Sequence, residues 1–127
     1  MTDDQLRLNA LTETIIGLSF KVSSTLGVGF LEKVYQNALA FELRRAGLNV
    51  EVQHPIKVYY EDVVVGEYFA DLLVENSVII ELKVVKQFED IHFAQGLNYL
   101  KATKLKVALI INFGVPKAVV KRLVNNF

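Results

Sequence analysis

The sequence predicts an α/β fold in which one mixed sheet is flanked by helices. Two segments with helical spacing open the chain, a stretch rich in Val, Ile and Tyr follows, and a helical segment then separates two apolar strands. Strands joined through a helix pair in parallel, whereas strands joined by short polar turns pair antiparallel. The sheet should therefore contain both kinds of pairing.

Two helices are predicted at the start of the chain. From Asp3 to about Thr25 the apolar residues recur at steps of three and four, which gives a helix one buried stripe. This stripe consists of Leu8, Leu11, Ile15, Leu18 and Val22. A second helix is predicted from about Phe30 to Ala46, where Gly47 ends it. Its predicted buried residues are Leu31, Val34, Ala38, Leu39 and Leu43.

Three strands are predicted next, in "VEVQHPIKVYY", "EDVVVGEYFADLLV" and "SVIIELKVV", because β-branched and aromatic residues favour strands. Pro55 in the first of them indicates an edge strand or a bulge. Helical spacing returns through Phe93, Leu97 and Leu100. The run "KVALIIN" is typical of a strand covered on both faces. A last short helix is predicted to begin at Pro116.

Composition excludes several classes of protein. The 127 residues include no cysteine, so disulfides and thiolate-bound metals are excluded and a reducing compartment is expected. No apolar run approaches the ~20 residues of a membrane span, and the acidic, polar N-terminus is unlike a secretory signal. We therefore expect one domain over residues 1–127, soluble in the cytoplasm and without a membrane partner.

The charge balance limits how the chain could bind nucleic acid. Lys plus Arg and Asp plus Glu both number 14, whereas proteins that grip long duplex DNA usually carry a basic excess. A nucleic-acid partner would have to be held by a local patch. The most basic stretch is "LKATKLK", which contains Lys101, Lys104 and Lys106.

Three charged residues interrupt the most apolar part of the chain: Asp71, Glu81 and Lys83. If Glu75–Ser77 form a three-residue hairpin loop, Asp71 lies directly opposite Glu81 on the neighbouring strand, with Cβ atoms roughly 5 Å apart. Lys83 then lies on the same face. A two-residue loop would instead place Asp71 opposite Leu82 and separate the two carboxylates.

Two carboxylates that meet among apolar residues need a cation, because they repel each other and lose hydration. Lys83 could neutralise one of them, whereas Mg²⁺ or Mn²⁺ would serve both through hard oxygen ligands. Two carboxylates, a lysine and such a metal can hydrolyse a phosphodiester bond. The alternative is a structural ion pair of Lys83 with Asp71 or Glu81 on a half-exposed face.

Other polar residues converge on the same region. His92, Gln95 and Tyr99 are spaced to form one stripe of the third predicted helix, where Gln95 and Tyr99 could hydrogen-bond a phosphate or a carboxylate. The alternative is a solvated helix face, and this interpretation is preferred for His92. Glu32 falls in the first turn of the second helix, where the helix dipole favours a carboxylate in any case.

The segment "GFLEKVY" (Gly29 to Tyr35) resembles the signature of the GxxExxY protein family. Similar segments follow in the order expected for that family: "YFADLLVE", "VIIELK", "AQGLNYLKAT" and "LIINFG". The family is placed in the PD-(D/E)XK nuclease superfamily. The resemblance therefore implies a restriction-endonuclease-like fold with an αβββαβ core, and Mg²⁺-dependent cleavage of DNA or RNA.

The resemblance also implies roles for individual residues. Asp71 takes the position of the metal-binding aspartate, and Glu81 and Lys83 take the Glu-x-Lys positions. Glu32 matches a helix glutamate that often completes the metal site, and the carbonyl of Leu82 is a further candidate ligand. Gln95 and Tyr99, which position substrate in this interpretation, match the Gln-x-x-x-Tyr motif of RecB-like and Cas4-like nucleases.

Two classes of function follow. The first is a metal-dependent nuclease, with DNA expected more than RNA as substrate. A narrower form of it is a homodimer that resolves DNA junctions, although the sequence lacks an obvious basic platform. The second is a non-catalytic module or regulatory subunit that keeps the nuclease fold and binds nucleic acid or protein.

Overall fold

The structure, a computed structural model, describes residues 1–127 and contains three helices and five strands. In chain order these are α1 (Asp3–Leu26), α2 (Glu32–Arg45), β1 (Val50–Tyr60), β2 (Val63–Val74), β3 (Val78–Lys83), α3 (Asp90–Thr103), β4 (Val107–Asn112) and β5 (Val119–Val124). The α/β class and the αβββαβ core predicted from the sequence are confirmed. No helix has the length and apolar character to cross a bilayer.

All five strands form one sheet in the order β1-β2-β3-β4-β5. Only β3 and β4 pair in parallel, through the crossover that contains α3, and the other three pairs are antiparallel. The sheet is therefore mixed, as predicted. Helices α1 and α2 pack on one face and α3 on the other, so β4 is buried at every position.

The hairpin between β2 and β3 has the predicted register. Val74 pairs with Val78 and Leu72 with Ile80, as a loop of Glu75–Ser77 requires. Pro55 lies in β1, an edge strand whose pairing with β2 shifts register after Val58. An edge strand tolerates proline because its missing N–H is not needed for pairing on the outer side.

The predicted C-terminal helix is wrong, because the segment after Pro116 forms strand β5. It pairs antiparallel with β4, from Val107 opposite Val124 to Asn112 opposite Val119. A single short helix has little intrinsic stability. The free edge of β4, in contrast, offers a full row of hydrogen-bond partners to a Val-rich segment.

The predicted buried face of α2 is partly wrong. Leu31 precedes the helix as its N-cap and is 81% exposed, and Val34 is also exposed. The buried stripe instead includes Tyr35, Leu39 and Leu43, each four residues from the next. The predictions for Leu39 and Leu43 are therefore confirmed, and Tyr35 takes the buried position expected of Leu31 and Val34.

Candidate functional site

The two strands that carry the acidic residues lose their backbone pairing where those residues lie. The last residues of β2 and β3 that pair through their backbones are Leu72 and Ile80. Beyond it, the Asp71 N–H donates to Glu81 Oε1 at 3.3 Å, and the Leu82 N–H donates to Asp71 Oδ2 at 2.7 Å. Carboxylates thus replace carbonyls as acceptors, and Asp71 and Glu81 meet at the end of the ladder.

The alternation of side chains along β2 reverses at Asp71. Ala70 and Leu73 both pack in the core under α3, whereas Leu72 packs in the core under α1 and α2. The residue opposite on β1, Gln53, is missing from the ladder and has a positive φ of 55°. This local distortion places Asp71 at the boundary between the two cores, where α2 and α3 can both reach it.

Glu81 lies in an unfavourable place for a negative charge. Its side chain belongs to a residue that is only 5% exposed. Burial, together with the charge of Asp71, raises the pKa of Glu81 to about 8, although the hydrogen bond from the Asp71 N–H and the charge of Lys83 oppose this rise. A carboxyl with this pKa holds a proton near neutrality unless a cation is supplied.

Lys83 forms no ion pair and no side-chain hydrogen bond. The five ion pairs of the structure all involve other residues, although Lys83 is close enough to lower the pKa of Glu81. The structural ion pair considered as an alternative is therefore absent. The half-buried ammonium group keeps its donors free for another group.

The backbone after Lys83 is fixed by Asn112, which the sequence analysis missed. This side chain is buried and bonds both polar groups of Val85, accepting from its N–H at 3.1 Å and donating to its carbonyl at 2.9 Å. The Phe113 N–H also donates to the Lys83 carbonyl at 2.8 Å. A polar residue at the end of an apolar strand was the available signal.

Glu32 is brought toward the site by the loop between α1 and α2. Gly29 has a φ of 109°, which favours glycine, and Glu32 is the first residue of α2. The Tyr35 hydroxyl donates to the Gly27 carbonyl at 2.6 Å and accepts from the Phe30 N–H at 3.3 Å. Each residue of the Gly-x-x-Glu-x-x-Tyr pattern therefore has a structural role: Gly29 forms the turn, Glu32 begins the helix, and Tyr35 holds the turn by hydrogen bonds.

Glu32 lies close enough to Asp71, Lys83 and His92 for their charges to affect its pKa. Partial burial raises its pKa, the charge of Asp71 adds to this effect, and Lys83 and His92 oppose it. However, the structure contains no group of three acidic or histidine side chains that could hold a metal ion. The predicted ligand set is thus only partly gathered: Asp71 and Glu81 meet, and Glu32 stands farther away.

Gln95 and Tyr99 of α3 are joined, with Gln95 Nε2 donating to the Tyr99 hydroxyl at 2.9 Å. Tyr99 is buried, and the charges of Glu81 and Asp71 both influence its hydroxyl. Burial is the main cause that raises the pKa of Tyr99, so the hydroxyl stays protonated. Tyr99 is therefore not on a solvated face, and Gln95 is half-buried beside its hydroxyl.

One other expectation for α3 needs correction. Leu97 was predicted to be buried, but it is exposed, and Gly96, Tyr99 and Leu100 form the buried face. His92 makes an exposed contact at the helix start, where its Nδ1 accepts from the Glu89 N–H at 3.0 Å in a capping arrangement. Tyr99 displaces Leu97 from the interface because its ring packs on the sheet while its hydroxyl reaches the site.

Gln53 and Gln36 are further site residues that sequence reasoning missed. Gln53 Nε2 donates to the Gln36 amide oxygen at 2.7 Å and to Asp71 Oδ1 at 3.3 Å. Gln36 lies on α2 and is buried. These contacts connect α2 and β1 to the carboxylate of Asp71. The "QH" interruption of an alternating strand was the only sign of them.

The donor chemistry at Asp71 and Glu81 fits Mg²⁺ or Mn²⁺. Both ions prefer oxygen ligands, and Mg²⁺ is commonly bound by one or two carboxylates together with waters and substrate phosphates. A divalent ion would also offset the cost of ionising the buried Glu81. Asp71 and Glu81 would therefore hold such an ion, and waters or substrate phosphates would supply the remaining oxygens.

A family model described as the PD-(D/E)XK nuclease superfamily matches residues 9–123. No curated protein and no solved structure matches the chain. The matched residues run from α1 into β5 and include Asp71, Glu81 and Lys83. Because the match covers most of its length and the architecture agrees, the chain belongs to the PD-(D/E)XK nuclease superfamily.

Proposed function

We propose that this protein is a metal-dependent nuclease that hydrolyses phosphodiester bonds of nucleic acid, with DNA preferred to RNA. The observation that carries the proposal is the contact at the end of the β2–β3 ladder, where the Asp71 N–H donates to the carboxylate of Glu81. Placing a second carboxylate beside the buried Glu81 without a cation destabilises the fold. A protein that used this region only as scaffold would gain from an apolar pair at these positions.

In this proposal Asp71 and Glu81 bind Mg²⁺ or Mn²⁺, and the Leu82 carbonyl and Glu32 supply further oxygens. When bound, the ion polarises the scissile phosphate and lowers the pKa of a bound water. Lys83 has no partner in the protein, so its ammonium group is free to orient the attacking water or to stabilise charge that develops on the phosphate.

Gln95 and Tyr99 position the substrate. The protonated Tyr99 hydroxyl accepts from Gln95 and keeps its own proton to donate to a phosphate oxygen. Gln95 has a second amide hydrogen for the same purpose. Both residues lie on α3, which fixes their spacing relative to each other.

A cleavage assay on single-stranded, duplex and branched substrates tests this function. We expect the wild type to cut at least one of them in Mg²⁺ or Mn²⁺, and Lys83→Met and Asp71→Asn to lose roughly 100-fold or more of the activity. Lys86→Met is the matched control, since Lys86 is exposed beyond the strand. Equal cleavage by wild type and Lys83→Met would mean a contaminating nuclease and would contradict the proposal.

A second candidate is a non-catalytic binding module. The observation that favours it is that Glu32 does not form a three-residue metal site with Asp71 and Glu81. A protein that binds nucleic acid or protein without cleaving it needs no third metal ligand. Calorimetry separates the two candidates. Absence of Mg²⁺ and Mn²⁺ binding at millimolar metal concentration would favour the binding module.

Three narrower proposals accompany the nuclease assignment. We propose that the chain is a member of the GxxExxY group, on the strength of the Gly29–Tyr35 pattern, and that residues 1–127 act as one domain in the cytoplasm. We also propose a homodimer through the edge strand β5, where Val119 and Val124 are exposed. Native mass spectrometry would report the mass of such a pair directly.

A further inference from the structure

A groove of about 830 Å³ runs beside the site, between α3 and the outer half of the β1–β2 hairpin. Its hairpin wall contains Lys57, Tyr59 and Tyr68, and its helix wall contains residues from Ile91 to Lys104. Gln95 and Tyr99 also line it. The Tyr99 hydroxyl is also close enough to Glu81 and Asp71 to be affected by their charges, so one end of the groove lies near the carboxylates.

The groove carries a local positive charge on a chain whose formal net charge is zero. Three lysines line it, Lys57, Lys101 and Lys104, and no acidic residue does. None of the three forms an ion pair. Glu67 is the strand partner of Lys57 in the β1–β2 ladder, but the two side chains form no ion pair. The local charge therefore stays available for an anionic ligand.

The groove also presents aromatic rings. Tyr59 is 59% exposed and Tyr68 is 49% exposed, both on the hairpin wall. The Tyr68 ring contacts that of Tyr99 in a tilted arrangement, with centroids 5.7 Å apart. The groove therefore presents two exposed tyrosine rings, and one of them, Tyr68, contacts the buried Tyr99.

We propose that this groove binds single-stranded nucleic acid, with bases stacked on Tyr59 and Tyr68 and phosphates held by Lys57, Lys101 and Lys104. The strand would pass Gln95 and Tyr99 and present its backbone to Asp71 and Glu81. The inference rests on the proposed nuclease function for its direction toward the site. The binding itself depends only on the groove.

Single strands fit these features better than duplexes do. Bases must be unstacked from each other to lie on a tyrosine ring, and each such base contributes substantially to affinity. Three lysines on a neutral chain provide few of the phosphate contacts on which duplex binding depends. A protein partner would not need alternating rings and lysines. The chemistry of the groove therefore indicates an unpaired strand.

Fluorescence anisotropy on the full chain without divalent ions tests the proposal, because cleavage is then avoided. The probes are an oligothymidylate, an oligouridylate and a duplex of equal length. Tyr59→Ala and Tyr68→Ala should each weaken single-strand binding roughly tenfold. Tyr60→Ala is the matched control, since Tyr60 is an exposed neighbour outside the groove. Tyr68→Phe should bind like the wild type because it keeps the ring.

The lysines are tested by the salt dependence of the same binding. The pair Lys57→Gln and Lys101→Gln should reduce the slope of log K against log salt by roughly 1.4, at about 0.7 for each phosphate contact to a single strand. The pair Lys21→Gln and Lys117→Gln changes the net charge equally but lies beside Phe20, away from the groove. It should leave the slope unchanged.

Failure of the groove and failure of the nuclease proposal give different results. Strong single-strand binding by a protein that never cleaves would keep the groove and remove the nuclease. The groove assignment is overturned if the duplex binds as tightly as the single strands, or if Tyr59→Ala behaves like Tyr60→Ala. It is also overturned if Tyr59→Ala alters only the oligomeric mass, because the occupant would then be a second copy.

Discussion

The backbone N–H of Asp71 donates to the carboxylate of Glu81 where the β2–β3 ladder ends. The carboxylate of Asp71 in turn accepts from the N–H of Leu82, the residue after Glu81 on β3. The pair therefore closes the sheet and exposes acceptor oxygens to the site. Because the same carboxylates accept backbone hydrogen bonds and face the proposed metal site, substitutions of Asp71 or Glu81 should alter both stability and metal binding. The pH dependence of stability separates the two effects.

The free energy of unfolding should fall as pH rises in the absence of divalent ions. The pKa of Glu81 is raised from its ordinary value of 4.5 to about 8, so the folded chain holds a proton that the unfolded chain has released. This stabilisation is complete below the unfolded pKa and is lost as pH rises through the folded pKa. We expect a loss of up to about 1.4 kcal/mol per pH unit in this window.

Glu81→Gln should flatten that pH profile, because the amide does not titrate. Denaturant unfolding at several pH values measures both proteins. Addition of Mn²⁺ should reverse the trend in the wild type alone, since metal binding favours the ionised carboxylate. A wild-type profile as flat as that of the variant would show that Glu81 is ionised without a cation.

Gln53→Ala should weaken metal binding without unfolding the protein. Its amide holds Asp71 Oδ1 and connects that carboxylate to Gln36, and alanine leaves the backbone strain at this position unchanged. Loss of one supporting contact to a metal ligand commonly costs 10–100-fold in affinity. Calorimetry with Mn²⁺ measures the change, and Gln87→Ala, an exposed neighbour of the site, is the control. An unchanged affinity would assign Gln53 to the fold alone.

Tyr35→Phe should loosen the loop before Glu32. The hydroxyl bonds the Gly27 carbonyl and the Phe30 N–H, while the ring stacks on Phe113 with centroids 4.8 Å apart. Phenylalanine keeps the stack and removes the hydrogen bonds, at a cost of about 1–3 kcal/mol. Thermal unfolding measures the loss. Because Glu32 follows this loop, cleavage should fall more than stability alone explains.

Gly114→Ala should destabilise the protein and displace Lys83. A Cβ atom on Gly114 would lie 2.5 Å from both the N and the O of Val85, within the segment that follows Lys83. Such a clash with backbone costs about 1–3 kcal/mol. Gly17→Ala is the contrasting control: nothing lies within 4 Å of its added Cβ, and alanine in a helix should stabilise by roughly 0.5–1 kcal/mol. Equal stability of both variants would contradict the close approach.

The sequence was most informative where periodicity and loop length act locally. Spacing was enough to predict α1, and the three-residue loop before Val78 was enough to place Asp71 beside Glu81. Strand β5 could not be foreseen, because its partner is the edge of β4 and edge pairing leaves no local pattern. Gln53 was missed for a similar reason: its contact with Asp71 depends on a backbone distortion that only the folded sheet imposes.

The central claim is that Asp71 and Glu81 bind one divalent ion between them. A crystal of the protein soaked in Mn²⁺ tests it through the anomalous signal of the metal. We expect one peak in coordination range of an Asp71 oxygen and a Glu81 oxygen, with no such peak in Asp71→Asn crystals. A peak elsewhere, or none at saturating Mn²⁺, would contradict the account.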